Sequence, residues 1–134
     1  MVNHNKAKGS NVERELIAMF WDAGWGAVRV AGSGGSKFPN PDVLASNKTR
    51  RVAVECKFVS GDKKYFSNGD VEQLEFFAEK FGAEAWIGVK FSRKDWFFIK
   101  TEDLSSTGEM FSASLEICKE KGKMFNELIG LKGG

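Results

Sequence analysis

Asp42, Glu55 and Lys57 are the residues of this sequence whose types and spacing could do chemistry. Asp42 follows Asn40-Pro41 at the head of a short apolar run, and Pro41, with no amide proton to give a ladder, marks a strand entrance. Glu55 and Lys57 lie in the run 51–59, where alternation sends Val52, Val54, Cys56 and Phe58 to one face and Ala53, Glu55 and Lys57 to the other. If the two runs pair, their backbones lie about 5 Å apart and Asp42 comes close to Glu55. Two carboxylates at that separation repel unless a proton or cation intervenes, and hard oxygen donors of this kind suit Mg²⁺ or Mn²⁺. Lys57, one pleat further on, reaches a phosphate oxygen or an attacking water. A carboxylate pair, a lysine and a metal form the minimal apparatus for hydrolysing a phosphodiester. Read on its own strand, the pair Glu55 and Lys57 is more simply an exposed sheet face with an ion pair between neighbours; Asp42 tips the balance towards chemistry.

Other chemistries find little support. The single histidine, His4, lies in a polar N-terminus, which argues against Ser-His-Asp, Cys-His and histidine-based nuclease chemistry. Cys56 and Cys118 do not make a disulfide framework, and with one histidine they cannot build a zinc finger of ordinary spacing. The loop Gly32-Ser33-Gly34-Gly35-Ser36-Lys37 lacks the Gly-Lys-Ser/Thr of a P-loop and is followed by Phe38-Pro39, so no nucleotide cofactor is expected. Its glycines suit a close backbone approach by an anionic partner instead. Charge points the same way: residues 1–64 carry eleven Lys/Arg against six Asp/Glu, whereas the net charge of the whole chain is only +2. A basic half suits an anionic partner, although an excess of this size is usually a solvated face. No apolar run approaches the roughly 20 residues of a membrane helix, no signal peptide is expected, and the expected location is cytoplasmic.

The elements that must position these residues are legible in outline. Apolar residues at Val12, Leu16, Met19, Phe20 and Ala23 predict an amphipathic helix over 12–23. Ser10 would cap it, Glu13 would complete a capping box and Gly24 would end it. Short strands follow at 27–30, 42–45 and 51–59, then a polar stretch at 61–69 and a second helix at 71–81. Strands at 86–91 and 96–100 form a hairpin, and a terminal helix is expected over 118–131. The order αβββαββ, with that last helix, means one mixed sheet flanked by helices in a single domain spanning 1–134. Residues 1–9 are expected to be a mobile arm, and 102–134 have no assigned role. The hairpin is apolar on both sides, through Trp86, Trp96 and Phe98 and through Phe97. With Phe76 of the second helix, this favours a partner subunit against one face, burial under the C-terminal segment being the alternative.

Pro41-Asp42 followed by Glu55-Cys56-Lys57 has the form of the PD-(D/E)xK nuclease signature. Three further segments accompany it: Gly9-Ser10-Asn11-Val12-Glu13-Arg14-Glu15-Leu16, Val28-Arg29-Val30-Ala31-Gly32-Ser33-Gly34, and Phe81-Gly82-Ala83-Glu84-Ala85. In this order and spacing the chain resembles the archaeal-type Holliday junction resolvases (Hjc) from about residue 8 to 98. The resemblance implies a restriction-endonuclease-like PD-(D/E)xK fold with a mixed central five-stranded sheet. It implies Glu13, Asp42 and Glu55 as metal ligands for Mg²⁺ (Mn²⁺ substituting) and Lys57 as the residue that orients water or stabilises charge on the phosphate. Ser33 is implied as the loop serine near the scissile phosphate, and Arg14 and Arg29 as grips on the DNA backbone, joined by Lys6 and Lys8 of the basic arm. The implied activity is paired nicking of four-way junction DNA by a homodimer. The alternatives are a related nuclease acting on flap or duplex DNA, and a non-catalytic junction-binding protein. Glu13 by itself is better explained by the cap, Arg14 is an ordinary exposed helix residue, and Arg29 is equally an edge-strand gatekeeper.

Overall fold

The computed structural model of the chain describes residues 4–30 and 38–132. Helix α1 runs from His4 to Asp22, and Leu16 and Phe20, one turn apart, are fully buried, so an apolar stripe faces the sheet. The helix begins ahead of Ser10, which corrects the expected start. With Ser10 inside the helix there is no capping box at Glu13, and the capping explanation of that residue falls. Gly24 ends the turn with a φ of 87°, a left-handed conformation that favours glycine.

Strands β1 (Gly26–Arg29), β2 (Val43–Ser46) and β3 (Arg51–Val59) form an antiparallel meander. After β4 (Lys63–Ser67) and helix α2 (Asn68–Phe81) come β5 (Glu84–Phe91) and β6 (Trp96–Lys100). β5 lies parallel to β3 and antiparallel to β6; the parallel pair needs a crossover, which α2 supplies. The result is a mixed five-stranded sheet in the order β1-β2-β3-β5-β6. Apolar side chains fill both of its faces. Val52, Val54, Trp86, Trp96 and Phe98 pack with Leu16 and Phe20 of α1, while Ala53, Ile87, Val89, Phe97 and Ile99 pack with Val71, Leu74 and Ala78 of α2. Gly88 is required on the first of these faces, because a Cβ there would stand 2.9 Å from Val54 Cγ1 and 3.2 Å from Trp96. Among the described residues, no helix is long and apolar enough to cross a membrane.

Beyond β6 the chain makes a 3-10 turn (Thr101–Asp103), then β7 (Ser105–Ser106), β8 (Met110–Ser114), α3 (Leu115–Lys121) and α4 (Phe125–Gly130). β8 pairs with both β4 and β7 in a second, three-stranded sheet. The polar stretch 61–69 is therefore partly a strand, whose five residues expose all but Phe66 and so carry no readable alternation. The single terminal helix becomes two. Lys123 breaks the run by exchanging two 2.7 Å backbone hydrogen bonds with Phe98, which pins the segment across β6.

That segment also corrects the hairpin part of the expected dimer contact, while Phe76 of α2 stays exposed. Trp86, Trp96, Phe97 and Phe98 are each at most 9% exposed within one chain. Leu128 and Phe125 of α4 cover one side of the hairpin and Cys118 of α3 lies on the other. Arg50, 4% exposed, locks the arrangement: it donates twice to Glu84 at 2.8 Å and to the carbonyls of Leu128 and Leu131 at 2.6 and 3.3 Å.

Candidate active site

The β2–β3 register sets Val43 opposite Val54, so Asp42, one residue before the strand, lies across from Glu55. Two hydrogen bonds fix it there. Its amide donates to the Val54 carbonyl at 3.1 Å, and its Oδ2 accepts from the Cys56 amide at 2.9 Å. Burial first, and then the charge of Asp42, push the Glu55 carboxyl up to about 8 against the opposing pull of Lys57. The Lys57 ammonium stands 3.6 Å from Glu55 Oε2 and 3.5 Å from Asp70 Oδ2, and 5.6 Å from the centre of the Phe66 ring. With side-chain exposures of 18% and 21%, Lys57 and Glu55 are not the open sheet-face pair that the strand alone suggested.

Glu13 and Arg29 approach from α1 and β1 and pair with each other, Arg29 Nε donating to Glu13 Oε1 at 2.9 Å. Burial and the charge of Asp42 raise the Glu13 carboxyl, while Arg29 and Arg14 oppose the rise. Asp42 is thus felt by both acids. Among the described residues, no three histidine, cysteine or acidic side chains converge as a metal cluster, so the structure joins Asp42 to Glu55 and leaves Glu13 on Arg29. Cys56 sits among these acids; burial first, then Asp42, Glu13 and Glu55, push its thiol well up, so it remains protonated. Arg14 is exposed. Lys6 and Lys8 lie on the α1 backbone, with side chains outside the description, and Ser33 lies outside the described residues. Asp70 was missed by sequence reasoning. It stands in the first turn of α2, and nothing local connects it to Lys57.

A half-buried pair of neighbouring acids, with an ammonium beside it, can accept a hard cation in place of a proton and present positive charge to an anion.

The chain is similar to known proteins over most of its length. The family described as archaeal Holliday junction resolvase (hjc) matches residues 4–133. The crossover junction endodeoxyribonuclease Hjc of Archaeoglobus fulgidus is 42% identical, over 95% of this chain and 98% of its own. The protein of the same name from Sulfolobus acidocaldarius is 34% identical, over 93% of this chain and 88% of its own. The solved structure of Archaeoglobus fulgidus Hjc, a Holliday junction resolvase from an archaeal hyperthermophile, superposes with a TM-score of 0.85 at 38% identity. That match covers 91% of this chain and all of the other.

Proposed function

The chain belongs to the family of archaeal Holliday junction resolvases, and from that membership we propose that it is a structure-selective endodeoxyribonuclease that resolves four-way DNA junctions by hydrolysing paired phosphodiesters. The observation that carries the reading is the placement of Asp42 across from Glu55 in the β2–β3 register, beside the ammonium of Lys57. Burial first, and then the charge of Asp42, raise the Glu55 carboxyl to about 8, and a divalent cation between the two acids offsets their repulsion. Asp42 and Glu55 would hold Mg²⁺, or Mn²⁺ in its place, with Glu13 as a further oxygen donor shared with Arg29. When bound, the ion supplies Lewis-acid stabilisation and an acidified water.

The chain's own residues do the rest. The Cys56 amide orients Asp42. Lys57 places positive charge where negative charge develops on the phosphate. Ser33 would act on the scissile phosphate, and Lys6, Lys8, Arg14 and Arg29 would contact the DNA backbone. Phosphate contacts set register without reading bases, so selectivity lies in the shape of the junction. Paired cuts across a near-two-fold junction require two sites related by the matching axis, hence a homodimer.

The test is cleavage of labelled four-way junction, flap and linear duplex with Mg²⁺, with Ca²⁺ and with excess EDTA. The junction should be nicked symmetrically and preferentially with Mg²⁺, and Ca²⁺ should support binding with little turnover. Asp42→Asn and Glu55→Gln should each slow nicking by about 10²–10³-fold while gel-shift binding survives. Full activity in EDTA, or equal cleavage of all three substrates, counts against the reading.

A further inference from the structure

We propose that Asp70 is a positioning residue for Lys57, holding its ammonium in place when Glu55 is engaged elsewhere. The inference rests on the role given to Lys57 above. Lys57 leaves β3 on a long flexible stem, and its own strand supplies one anion, Glu55, at 3.6 Å. Asp42 stands across from that carboxylate in the β2–β3 register, so Glu55 is shared between Asp42 and the lysine and does not hold the ammonium alone. Asp70 Oδ2, 3.5 Å from the same Nζ, comes from a different element. The Phe66 ring closes a further side at 5.6 Å. Three elements therefore bound the ammonium: β3, β4 and α2.

Asp70 is itself firmly placed. Ser67 caps α2, its Oγ accepting from the Asp70 amide at 3.2 Å, and the first turn of a helix favours a negative charge. Asn68 donates to the Gly108 carbonyl at 3.2 Å, and β4 pairs with β8 along its whole length. The C-terminal segment, without a role on sequence grounds, thus braces the start of α2 and with it Asp70. The competing account is that Asp70 only complements the helix dipole, in which case its loss lowers stability and leaves both turnover and Lys57 unchanged.

Two measurements decide between these accounts in wild type, Asp70→Asn and Asp70→Glu. The first is single-turnover junction cleavage at saturating enzyme, with affinity determined separately. Asp70→Asn should cut about ten- to a hundredfold more slowly with affinity within about twofold, and Asp70→Glu should recover most of the rate. The second is carbon-13 relaxation at Cε of Lys57 in the protein without DNA or metal, where Asp70→Asn should raise the mobility of Lys57 towards that of the exposed lysines. An unchanged rate or an unchanged mobility in Asp70→Asn overturns the proposal. Wild-type enzyme that cuts no junction, or Lys57→Ala that cuts normally, defeats the functional reading instead, and the mobility measurement still decides the position of Lys57.

Discussion

Glu55 carries the clearest consequence at the scale of single residues. Its carboxyl moves from 4.5 to about 8, chiefly through burial and then through Asp42. A group raised in this way binds its proton more tightly folded than unfolded. In metal-free protein its contribution to stability is therefore complete below about pH 4.5 and is lost as the pH rises through about 8. Thermal melts in EDTA should show the wild type losing stability across that window, and Glu55→Gln, which has no proton to lose, should flatten the dependence. Identical pH profiles for the two proteins would mean that Glu55 titrates normally. The same linkage means that a cation competing with this proton binds more tightly as the pH rises towards 8.

Between elements, the decisive side chain is Arg50 at the head of β3. Its guanidinium ties β3 to the start of β5 through Glu84, and to the end of α4 through two carbonyls. It also stacks on Trp25, 5.4 Å from the ring centre. Its hydrogen bond is the first cause of the Glu84 carboxyl lying below its usual range, and Trp86 Nε1 adds a second donor. Arg50→Ala strands the Leu128 carbonyl in a dry environment and removes the partner of Glu84. Each buried unmet group costs about 1–3 kcal/mol, and Glu84 is partly solvated, so the expected loss is about 2–4 kcal/mol in a urea or thermal titration. Cleavage by the molecules that remain folded should be unaffected. A loss under about 0.5 kcal/mol would mean that α4 is held by its apolar face alone, through Leu128, Phe125 and Ile129.

For the whole molecule, the proposed homodimer needs a surface on which a second subunit can dock. With the hairpin covered internally, a cluster of exposed apolar side chains among the described residues lies at the β1 end of the sheet. Trp21 (60% exposed), Val28 (56%) and Phe81 (50%) stand there, and with Leu44 they line a groove of about 380 Å³. Clustered exposed apolar groups of this size mark contact surfaces. β1 is also an edge strand with an unpaired side. Sedimentation at micromolar concentration should report about twice the 14.9 kDa chain mass. Phe81→Glu, at an exposed position, should shift the protein towards monomer with little change in melting temperature, and should turn paired cuts into single nicks. A wild-type monomer that still makes paired cuts without dimerising on the junction would defeat the homodimer.

The sequence by itself determined what depends on local periodicity. Alternation along β3 set Glu55 and Lys57 on one face. Pro41 marked the strand entrance that brings Asp42 opposite them, and the 3.6-residue spacing of Val71, Leu74, Phe77, Ala78 and Phe81 marked the side of α2 that meets the sheet, with Phe81 alone left half-exposed at the helix end. These patterns are written by the two simplest backbone geometries, so they survive without any knowledge of distant contacts. Only the tertiary structure decided what lies between residues far apart in the chain. The exposed residues of β4 look like loop until β8 supplies its hydrogen bonds. The two-sided apolar hairpin is compatible with a partner subunit until α3 and α4 are seen to cover it. Asp70 is an ordinary helix-start acid until α2 sets it against Lys57. The raised carboxyl of Glu55 likewise has no sequence signature, because a pKa is set by burial and by the charges that folding brings near, not by neighbours along the chain.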